Sequence, residues 1–303
     1  MLLSIIIPTR NRGAVFDETL QAAINAIKHL DGEILVVNDF HEKRPSIPDS
    51  SNVRIIDNPG RGVAAARNAG VRSTTGEIIL FLDDDIVISG QSIDHIISVH
   101  REMKDLCLNV NWEYPPDMMK QISKTQFGRF LIASRMTSFK GWYNDASWKE
   151  NELFPSKAVA SFHLSMRRTD FERTPGYNET FPHAGFEDYA FPQELKKARL
   201  SLFIDARTTV YHNEIDRMNF DNWLANQERR AITRKVAVEL GYSELALNYT
   251  TSKRVLLSII GAGIGIIRAM IYAIPNLRFF DPLFFKLVGA LEAHKIYRGY
   301  TLH

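Results

Sequence analysis

The sequence predicts an α/β fold, in which helices cover both faces of a sheet. Two observations lead to this prediction. Short apolar runs rich in β-branched residues alternate with stretches of helical spacing, which is typical of a mostly parallel sheet. Several of the predicted strands, such as LSIII and EIILFL, are nearly continuous apolar runs, as strands are when both faces of the sheet are covered. A chain of 303 residues, 45% hydrophobic and 24% charged, is long enough for one large domain or two smaller ones.

Four strands and two helices are predicted in the first part of the chain. The first strand, LSIII, is a β-branched run that Pro8 ends. Leu20, Ile24 and Ile27 recur at helical spacing and indicate the first helix. The second helix is rich in alanine and follows the turn NPGRG. The predicted strands are residues 3–7, 33–37, 53–57 and 77–82, and the predicted helices are residues 14–30 and 63–73.

The middle of the chain has a weaker pattern. Residues 105–160 are rich in Trp, Tyr, Met and Pro and have no clear period, so we expect irregular structure there, such as a loop over the site. Regular patterns return after this segment. The predicted strands are residues 160–168, 200–205 and 208–212, and the predicted helices are the one entered through HAGFEDYAFPQELKKA and residues 216–240.

Polar residues directly follow three of the predicted strands: Pro8-Thr9-Arg10, Asn38-Asp39 and Asp83-Asp84-Asp85. Ligands of open α/β sheets bind beyond the carboxyl ends of the strands, so these stretches are expected to converge on one edge. Three adjacent aspartates repel one another, so we expect a positively charged group nearby. A hard divalent cation such as Mg²⁺ or Mn²⁺ binds carboxylates together with phosphate oxygens. The alternative is a solvated acidic turn in which one aspartate caps a helix, and the neighbouring strand ends favour the metal.

Two further elements carry titratable groups. Glu187-Asp188 stands at the start of a predicted helix. A carboxylate there is either a cap and helix-dipole partner or a general base for a hydroxyl acceptor, and composition alone leaves both open. His212 ends the strand TTVYH, a position that is usually structural but that suits a ligand beside a metal.

Six stretches, taken in order, resemble glycosyltransferase family 2. They are SIIIPTRNR, ILVVNDF, NPGRGVAAARNAGVRSTTGEIILFLDDD, HLSMRRTDFERTPGYNETF, GFEDYAF and TTVYH. Each is short, but their joint order from residue 2 to about residue 215 is specific. The family consists of inverting enzymes with the Rossmann-like GT-A fold, so the resemblance implies a mixed sheet flanked by helices. It implies a catalytic domain over residues 1–215, which leaves residues 216–303 as a helical C-terminal region.

The resemblance implies a binding site for a nucleotide-sugar donor. Asp39 would contact the base, Thr9 would line the nucleoside pocket, and Arg67 would lie near the nucleotide. Asp83 would face the ribose or the sugar. The donor-binding residues implied in this way are Pro8, Thr9, Arg10, Asp39, Arg67, Asp83 and Asp84.

The resemblance also implies a divalent metal ion, Mn²⁺ or Mg²⁺. Asp83 and Asp85 are the outer members of the DxD motif, with Asp85 as the direct metal ligand. His212 would complete the metal site. Asp188 would be the general base, and Glu187 would face the acceptor.

The chain departs from the family pattern at two places. The second strand is followed by Asn38-Asp39-Phe40-His41, where the family usually has two acidic residues and then Gly-Ser. His163 stands where the family usually has an asparagine. The first departure concerns recognition of the base, and the second concerns contacts with the donor sugar.

The implied reaction transfers a sugar, with inversion, from a nucleotide-diphosphate donor to a hydroxyl acceptor. A UDP-sugar is the expected donor, and a glycan or a lipid-linked saccharide is the expected acceptor. One alternative is a nucleotidyltransferase, which usually has a Gly-rich phosphate loop where this chain reads PTRNRG. The other is a catalytically inactive scaffold that binds nucleotide and membrane. The net charge of +2 does not indicate a nucleic-acid partner.

Cysteine usage and the N-terminal residues favour the cytoplasm. Cys107 is the only cysteine, which excludes an intrachain disulfide and fits a reducing compartment. The opening residues, MLLSIIIPTRNR, lack the positive leader of a secretory signal peptide. We therefore expect a cytoplasmic protein.

An apolar run near the C-terminus raises the question of a membrane. Residues 255–274 contain one charge, Arg268, and are long enough to cross a bilayer. Arg268 lies well inside the run, which is costly in lipid, whereas Gly261 and Gly265 would allow close helix packing. We expect residues 253–303 to contact the cytoplasmic face of a membrane as interfacial helices. The alternatives are a true span, a helical cap on the catalytic domain and a contact in a homodimer.

Overall fold

The computed structural model describes residues 1–40, 42–143 and 146–302. The chain divides into two units, each packed on itself. The sheet unit comprises Met1–Pro115 and Ser138–Glu214, and the helical unit comprises Pro116–Thr137 and Ile215–His303. The predicted catalytic domain over residues 1–215 and the helical C-terminal region over residues 216–303 stay predictions.

The sheet unit contains one mixed sheet, with nine strands in the described residues. They are β1 Leu3–Thr9, β2 Gly32–Asn38, β3 Val53–Asp57, β4 Ile78–Leu82, β5 Ile86–Val87, β6 Leu106–Glu113, β7 Leu153–Pro155, β8 His163–Arg167 and β9 Ser201–His212. Their order is β3-β2-β1-β4-β8-β6-β9-β5, and β7 pairs with β9. Strands β1 to β4 are parallel, whereas β8 is antiparallel to β4 and β6. The mixed sheet implied by the family resemblance is confirmed. Parallel pairing, which the sequence predicts for most of the sheet, joins β1 to β4 and also joins β6 to β9, whereas β5, β7 and β8 pair antiparallel with their neighbours.

Twelve α-helices lie in the described part of the chain. They are α1 Ala14–Ile27, α2 Gly62–Arg72, α3 Gly90–Glu102, α4 Pro116–Ile122, α5 Gln126–Ala133, α6 Phe139–Tyr143, α7 Arg168–Phe171, α8 Glu187–Lys197, α9 Phe220–Glu239, α10 Thr251–Ala262, α11 Ile264–Ala273 and α12 Asp281–Thr301. Helices α4, α5 and α9 to α12 belong to the helical unit. The predicted helices are present, with ends that differ by a few residues.

Helix α2 packs closely on β1, and this contact positions the site. Gly70 lies over Ile6, and a Cβ atom at residue 70 would come within 2.2 Å of Ile6 Cγ2. Only glycine permits that approach. Ala66 of the same helix is also fully buried. The close packing holds α2 on the sheet and keeps Arg67, one turn before Gly70, in the interior.

Strand β6 corrects the prediction of irregular structure at residues 105–160. It is a buried strand between β8 and β9, and the rest of the segment includes α4, α5, α6 and β7. Asn109 and Asn111 interrupt its apolar pattern, so LCLNVNWE does not look like a buried strand. The Asn109 side chain is satisfied by the backbone, because it donates to the carbonyl of Ala160 at 2.8 Å and accepts from the Ala160 N–H at 2.7 Å. Such pairing makes a buried asparagine tolerable.

Two strand boundaries also differ from the prediction. Residues 200–205 and 208–212 belong to one strand, β9, and not to two. The interruption is a register shift, after which Asn111 of β6 pairs with Thr209. Pro8 does not end β1, because the strand continues one residue beyond it.

The helical unit has an apolar core of its own. Its buried members are Phe130, Leu131, Leu224, Ile271, Phe284, Val288 and Leu291. Arg129 of α5 donates two hydrogen bonds of 2.7 Å to Asp281 at the start of α12. Gly261 of α10 packs on α12, since a Cβ atom there would lie 2.3 Å from Cε1 of His294. Among the described residues, nothing outside the backbone of its own helix and its chain neighbours lies within 4 Å of a Cβ atom at Gly265, so the expected close packing holds for Gly261 and is wrong for Gly265.

The apolar run at residues 255–274 is not one helix. It is divided at Gly263 into α10 and α11, which are bent by 64°. Among the described residues no single helix is long and apolar enough to cross a membrane, and α10 and α11 meet that test only when taken together. Arg268, the charge inside the run, donates a hydrogen bond of 2.6 Å to Asp221 of α9.

Candidate active site

The polar residues that follow β1, β2 and β4 meet at one edge of the sheet. The parallel pairing of β1 with β2 and β4 brings their carboxyl ends side by side. Thr9 Oγ1 donates a hydrogen bond of 2.7 Å to Asp84 Oδ2, and the backbone N–H of Asp39 donates one of 2.8 Å to the Thr9 carbonyl. Pro8 is buried beside them, and Arg10 is exposed. Three separate stretches of sequence therefore form one site.

Asp39, the residue expected to contact the base, is fixed through one of its two oxygens. Asn58 Nδ2 donates to Asp39 Oδ1 at 2.6 Å, and the backbone N–H of Gly62 donates to the same atom at 3.0 Å. Gly62 begins α2 with a φ of 82°, a conformation that favours glycine. The other oxygen, Oδ2, lies 3.7 Å from Nη1 of Arg10. The fold thus sets the direction in which Asp39 presents its carboxylate.

The three consecutive aspartates have three different sets of partners. Asp83 accepts a hydrogen bond of 2.7 Å from Arg67 Nη2. Asp84 takes the hydrogen bond from β1 and also lies 3.5 Å from Nη1 of Arg12. Asp85 accepts a hydrogen bond of 2.9 Å from Arg12 Nη2. The turn that follows β4, which we call the aspartate turn (Asp83–Asp85), therefore directs Asp83 to one arginine and Asp84 and Asp85 to another, which reduces the repulsion between the carboxylates.

Arg67 is a buried cation shared by three carboxylates. Its guanidinium lies 2.7 Å from Asp83, 3.2 Å from Asp188 and 3.5 Å from Glu187, and its side chain is 1% exposed. It also lies over the ring of Tyr177, with Cζ 5.2 Å from the ring centroid. Burial alone would lower the pKa of Arg67, but Asp83 and Asp188 raise it above its ordinary value. Arg67 therefore stays charged, and it joins Asp83 of the aspartate turn to Asp188, the predicted base.

The two acidic residues at the start of α8 differ in access. The side chain of Glu187 is 2% exposed, whereas that of Asp188 is 30% exposed. Glu187 accepts a hydrogen bond of 2.5 Å from the backbone N–H of Gly185. Of the pair, Asp188 is the one that an acceptor can reach, as its predicted role as base requires.

Burial, together with neighbouring negative charge, raises the pKa of three carboxylates at this edge. Burial, followed by the charge of Asp85, raises the pKa of Asp84 to about 7. Burial, followed by the charge of Asp188, raises the pKa of Glu187 to about 8. Burial also raises the pKa of Asp83, although its arginine partner opposes the effect. A divalent cation at this edge would offset charge that is costly to bury.

Asp85, His212 and Glu214 form a group suited to a metal ion. One ligand atom from each lies within 4.8 Å of the others. His212 Nε2 is 3.3 Å from Asp85 Oδ1 and 3.8 Å from Glu214 Oε1. Burial lowers the pKa of His212, but Glu214 and Asp85 outweigh it and raise the pKa to about 9. The ring is therefore protonated in the metal-free protein and supplies the positive charge that an ion would replace.

The residues around this group fit the metal that the family resemblance implies. Two carboxylates and one imidazole suit Mn²⁺, whereas Mg²⁺ prefers oxygen ligands. Phe162 stacks on the His212 ring with centroids 6.0 Å apart, and Trp112 meets the same ring edge-on at 5.1 Å. The hydroxyl of Tyr114 donates a hydrogen bond of 2.6 Å to Glu214 Oε2. Neighbours that orient ligands in this way are a regular feature of metal sites.

Asp83 is not a member of this group of three. Its carboxylate is engaged by Arg67, and its predicted role as a metal ligand stays a prediction.

The structure describes only part of the two departures from the family pattern. His41 lies outside the described residues. His163 is buried in β8, and burial lowers its pKa to about 4, so the ring is neutral at pH 7.

Sequence reasoning missed Arg12 and Glu214. Asn11 and Gly13 have φ angles of 51° and 71°, so the loop folds back and Arg12, whose side chain is 4% exposed, reaches the second and third aspartates. The only signal was the residue types on either side, since asparagine and glycine adopt such angles most readily. Glu214 had a clearer signal, because residues two apart in an extended chain point to the same side and Glu214 follows His212 by two.

Comparison with known proteins identifies the family. Residues 4–173 match the family described as Glycosyl transferase family 2. The chain belongs to glycosyltransferase family 2. The matched region contains Asp39, Arg67 and the three aspartates, and it ends before Asp188 and His212. The family membership predicted from the sequence is therefore confirmed.

The curated relatives are distant from this chain in sequence, and the matches cover about half of each relative or less. A validoxylamine A glucosyltransferase of Streptomyces hygroscopicus subsp. jinggangensis is 24% identical over 216 residues, which cover 62% of this chain and 49% of the relative. An uncharacterized glycosyltransferase of Haemophilus influenzae is 28% identical over 126 residues, 41% of each chain. The chain spans about half the length of the curated relatives that it matches.

A solved structure supports the same architecture. The crystal structure of GalNAc-T7 with UDP, GalNAc and Mn²⁺ superposes with a TM-score of 0.53 at 14% identity, covering 70% of this chain and 43% of that chain. A likeness at this identity concerns the fold alone. The GT-A fold expected from the sequence is confirmed.

Proposed function

We propose that the protein is an inverting, metal-dependent glycosyltransferase. It moves a sugar from a nucleotide-diphosphate donor, a UDP-sugar, to a hydroxyl group of a glycan or a lipid-linked saccharide. The observation that carries this proposal is that Arg67 contacts two carboxylates at once. One is Asp83, the first aspartate of the DxD motif, and the other is Asp188, the proposed base. A donor at the first carboxylate and an acceptor at the second would meet at one edge of the sheet, and such proximity lowers the barrier to transfer.

Asp85, His212 and Glu214 are the residues that would hold a divalent cation. When bound, the cation supplies positive charge to the diphosphate and so stabilises the leaving group. Arg12 lies against the same turn and provides a second positive charge there. The orientation of His212 by two aromatic rings keeps its nitrogen directed at the carboxylates.

Asp188 accepts the proton of the acceptor hydroxyl. The oxygen of that hydroxyl forms a bond to the anomeric carbon as the bond from that carbon to the diphosphate breaks, so the configuration inverts in one displacement. Arg67 keeps the Asp188 carboxylate in position during this step, since it is bonded to it at 3.2 Å. Glu187, whose pKa is raised to about 8 by burial and by Asp188, is protonated at pH 7, so the more exposed Asp188 is the member of the pair that we assign as the base.

Asp39 and Thr9 support a nucleoside pocket. One oxygen of Asp39 is held by Asn58 and Gly62, so the direction of the second is fixed. A carboxylate held in this way accepts a hydrogen bond from a ring N–H, and uracil carries one at N3. Arg10, which is exposed and lies near Asp39, is placed to approach the phosphates. These features support UDP as the carrier of the sugar.

The proposed compartment is the cytoplasm. The only cysteine, Cys107, is buried, and burial raises the pKa of its thiol. A chain that uses one inert thiol and no disulfide suits a reducing environment.

Calorimetry of UDP binding tests the metal part of the proposal. The wild-type protein should bind UDP in Mn²⁺ and lose most of that affinity in EDTA, because the aspartate turn and a diphosphate repel without a cation. Glu214→Gln should weaken Mn²⁺-dependent binding at least ~10-fold. The control is Glu77→Gln, which changes an exposed glutamate just before the first residue of β4. Equal affinity for UDP in Mn²⁺ and in EDTA would contradict the assignment.

A panel of nucleotide sugars tests the reaction itself. Each donor is incubated with Mn²⁺ and with mixed glycan or lipid-linked acceptors, and release of the nucleotide and labelling of the acceptor are measured. Transfer from at least one donor is expected. Tight Mn²⁺-dependent UDP binding without any turnover across the panel would favour the inactive scaffold.

A further inference from the structure

Helices α10 and α11 carry apolar side chains on two faces. The inner face packs in the helical unit, where Leu257 and Ile271 are buried and Ile260, Ile264 and Ile267 lie against the apolar core. A helix that covers a core needs only this one apolar stripe. The apolar side chains on the other face of α10 and α11 therefore need a different explanation.

The second stripe faces solvent, and we call it the outer face. Its exposed members are Val255, Leu256, Ile259, Ile266 and Met270, continued by Leu277, Phe279 and Leu283. Ile266 is 70% exposed and Phe279 is 85% exposed, so these side chains are almost uncovered. Eight large apolar side chains are thus exposed within residues 255–283, and exposed apolar groups of this kind mark interaction sites.

The charged residues along the outer face are mainly basic. Residues 251–286 contain five basic residues and one acidic residue, Asp281. Asp281 is engaged by Arg129, so it does not offset the basic charge. The exposed basic residues are Lys253, Arg254, Arg278 and Lys286. Apolar side chains bordered by basic residues are complementary to a partner that has an apolar interior and anionic groups on its surface.

We propose that the outer face docks on a membrane that contains anionic lipids. The apolar side chains enter the boundary between headgroups and acyl chains, and the lysines and arginines pair with the headgroup phosphates. The proposal goes beyond sugar transfer and does not depend on it.

Two structural observations favour docking over crossing. α10 and α11 are bent by 64° at Gly263, and neither helix is long enough to span alone. Arg268 is held at 2.6 Å by Asp221 of α9, and this pair keeps α11 attached to the helical unit. A crossing helix would carry that charge into hydrocarbon, which is unfavourable.

The same charges oppose a second copy of the chain as the occupant. A two-fold contact brings identical surfaces together, so Lys253 and Lys286 of one copy would face the same basic surface of the other. Like charges at contact are unfavourable. An anionic leaflet removes that repulsion and replaces it with attraction.

Co-sedimentation with vesicles tests the docking. The full chain should bind vesicles made of equal parts phosphatidylcholine and phosphatidylglycerol, and bind phosphatidylcholine alone far more weakly. Ile266→Ser with Phe279→Ser should lower the affinity at least ~10-fold. Lys253→Gln with Lys286→Gln should lower it about 20-fold on the anionic vesicles only. Point substitutions are preferable to removing residues 253–303, because Phe284, Val288 and Leu291 belong to the core.

Matched controls are available in the same chain. Leu240→Ser changes another exposed leucine of the helical unit, and Lys104→Gln changes an exposed lysine of the sheet unit. Neither should alter vesicle binding, and circular dichroism should be the same for all variants. No binding by the wild type, or equal binding by the double serine variant, overturns the proposal. So does a wild-type protein that stays with the vesicles in alkaline carbonate, which would indicate a span. A serine variant that changes the mass in light scattering but not vesicle binding would point to a second copy instead.

Discussion

The guanidinium of Arg67 and the carboxylate of Asp188 lie 3.2 Å apart, although the two residues are separated by 121 positions in the sequence. This contact joins α2 to α8. The same guanidinium also reaches Asp83 at 2.7 Å, so a single buried side chain sets the spacing between the aspartate turn and the proposed base. Arg67 is a positioning residue, and the following prediction tests that role.

Replacing Arg67 should destabilise the sheet unit. Arg67→Met leaves Asp83, Glu187 and Asp188 without their shared cation, and removal of one partner from a buried ion pair typically costs ~3–5 kcal/mol. Arg67→Lys keeps the charge but cannot reach several carboxylates at once, so a smaller loss is expected. Urea unfolding measures both. The control is Arg72→Met at the exposed end of the same helix, with a change below about 1 kcal/mol. A similar loss at both positions would show that the contacts of Arg67 are not the cause.

Asp188→Asn should separate catalysis from donor binding. Asparagine keeps the size and the hydrogen-bonding oxygen of the side chain but cannot take a proton, and a general base contributes ~10²- to 10⁴-fold in rate. UDP affinity should change little, because Asp188 would face the acceptor. The measurement is sugar transfer together with UDP affinity, with Asp94→Asn on the exposed surface of α3 as the control. Transfer within a few-fold of wild type would mean that another group takes the proton.

Glu187 should make the metal-free protein less stable as the pH rises. Burial and the charge of Asp188 raise the pKa of Glu187 to about 8 from an ordinary value of 4.5. Between these values the folded state holds a proton that the unfolded state has released, so the free energy of unfolding falls with pH, by at most about 1.4 kcal/mol per unit. Glu187→Gln should remove this part of the slope. Both proteins are measured in EDTA. Asp84, whose pKa also lies near 7, is present in both, so the difference between their stability curves reports the contribution of Glu187. Parallel stability curves would contradict the prediction.

Two glycines of the apolar run should respond oppositely to alanine. Gly261→Ala places a methyl group 2.3 Å from the imidazole of His294, and overpacking of this kind costs ~1–3 kcal/mol. Gly265→Ala meets nothing within 4 Å and should leave stability unchanged or raise it by up to about 1 kcal/mol. Thermal unfolding of the two variants under one set of conditions is the measurement. Equal melting temperatures would argue against the close packing of α10 on α12.

Local patterns predicted the elements that consist of a short apolar run bounded by polar or turn residues. Strand β3 occupies the predicted residues 53–57, because its apolar run is short and ends in Asp57 and Asn58. Strand β6 escaped prediction because Asn109 is satisfied by groups from another part of the chain, which periodicity does not contain. The break at Gly263 was also missed, because neither proline nor a charge marks it.

The residues of the site were easier to predict from the sequence than the contacts between them. The aspartates and His212 stand out because polar groups follow apolar strands. That Asp85 lies beside His212 depends on the pairing of Ile86 with His212 across the sheet, a contact between distant parts of the chain. The part played by Arg12 depends on the left-handed backbone of Asn11, which residue types alone only suggest.

The burial of Cys107 in β6 has a practical consequence. It is the only cysteine in the chain, and burial raises the pKa of its thiol, so the native protein should react slowly with thiol-specific dyes. The wild-type sequence is then already a suitable background for site-specific fluorescence. A single cysteine placed on an exposed turn of α10 or α11 would carry an environment-sensitive probe, and its emission would report the polarity around that turn in real time.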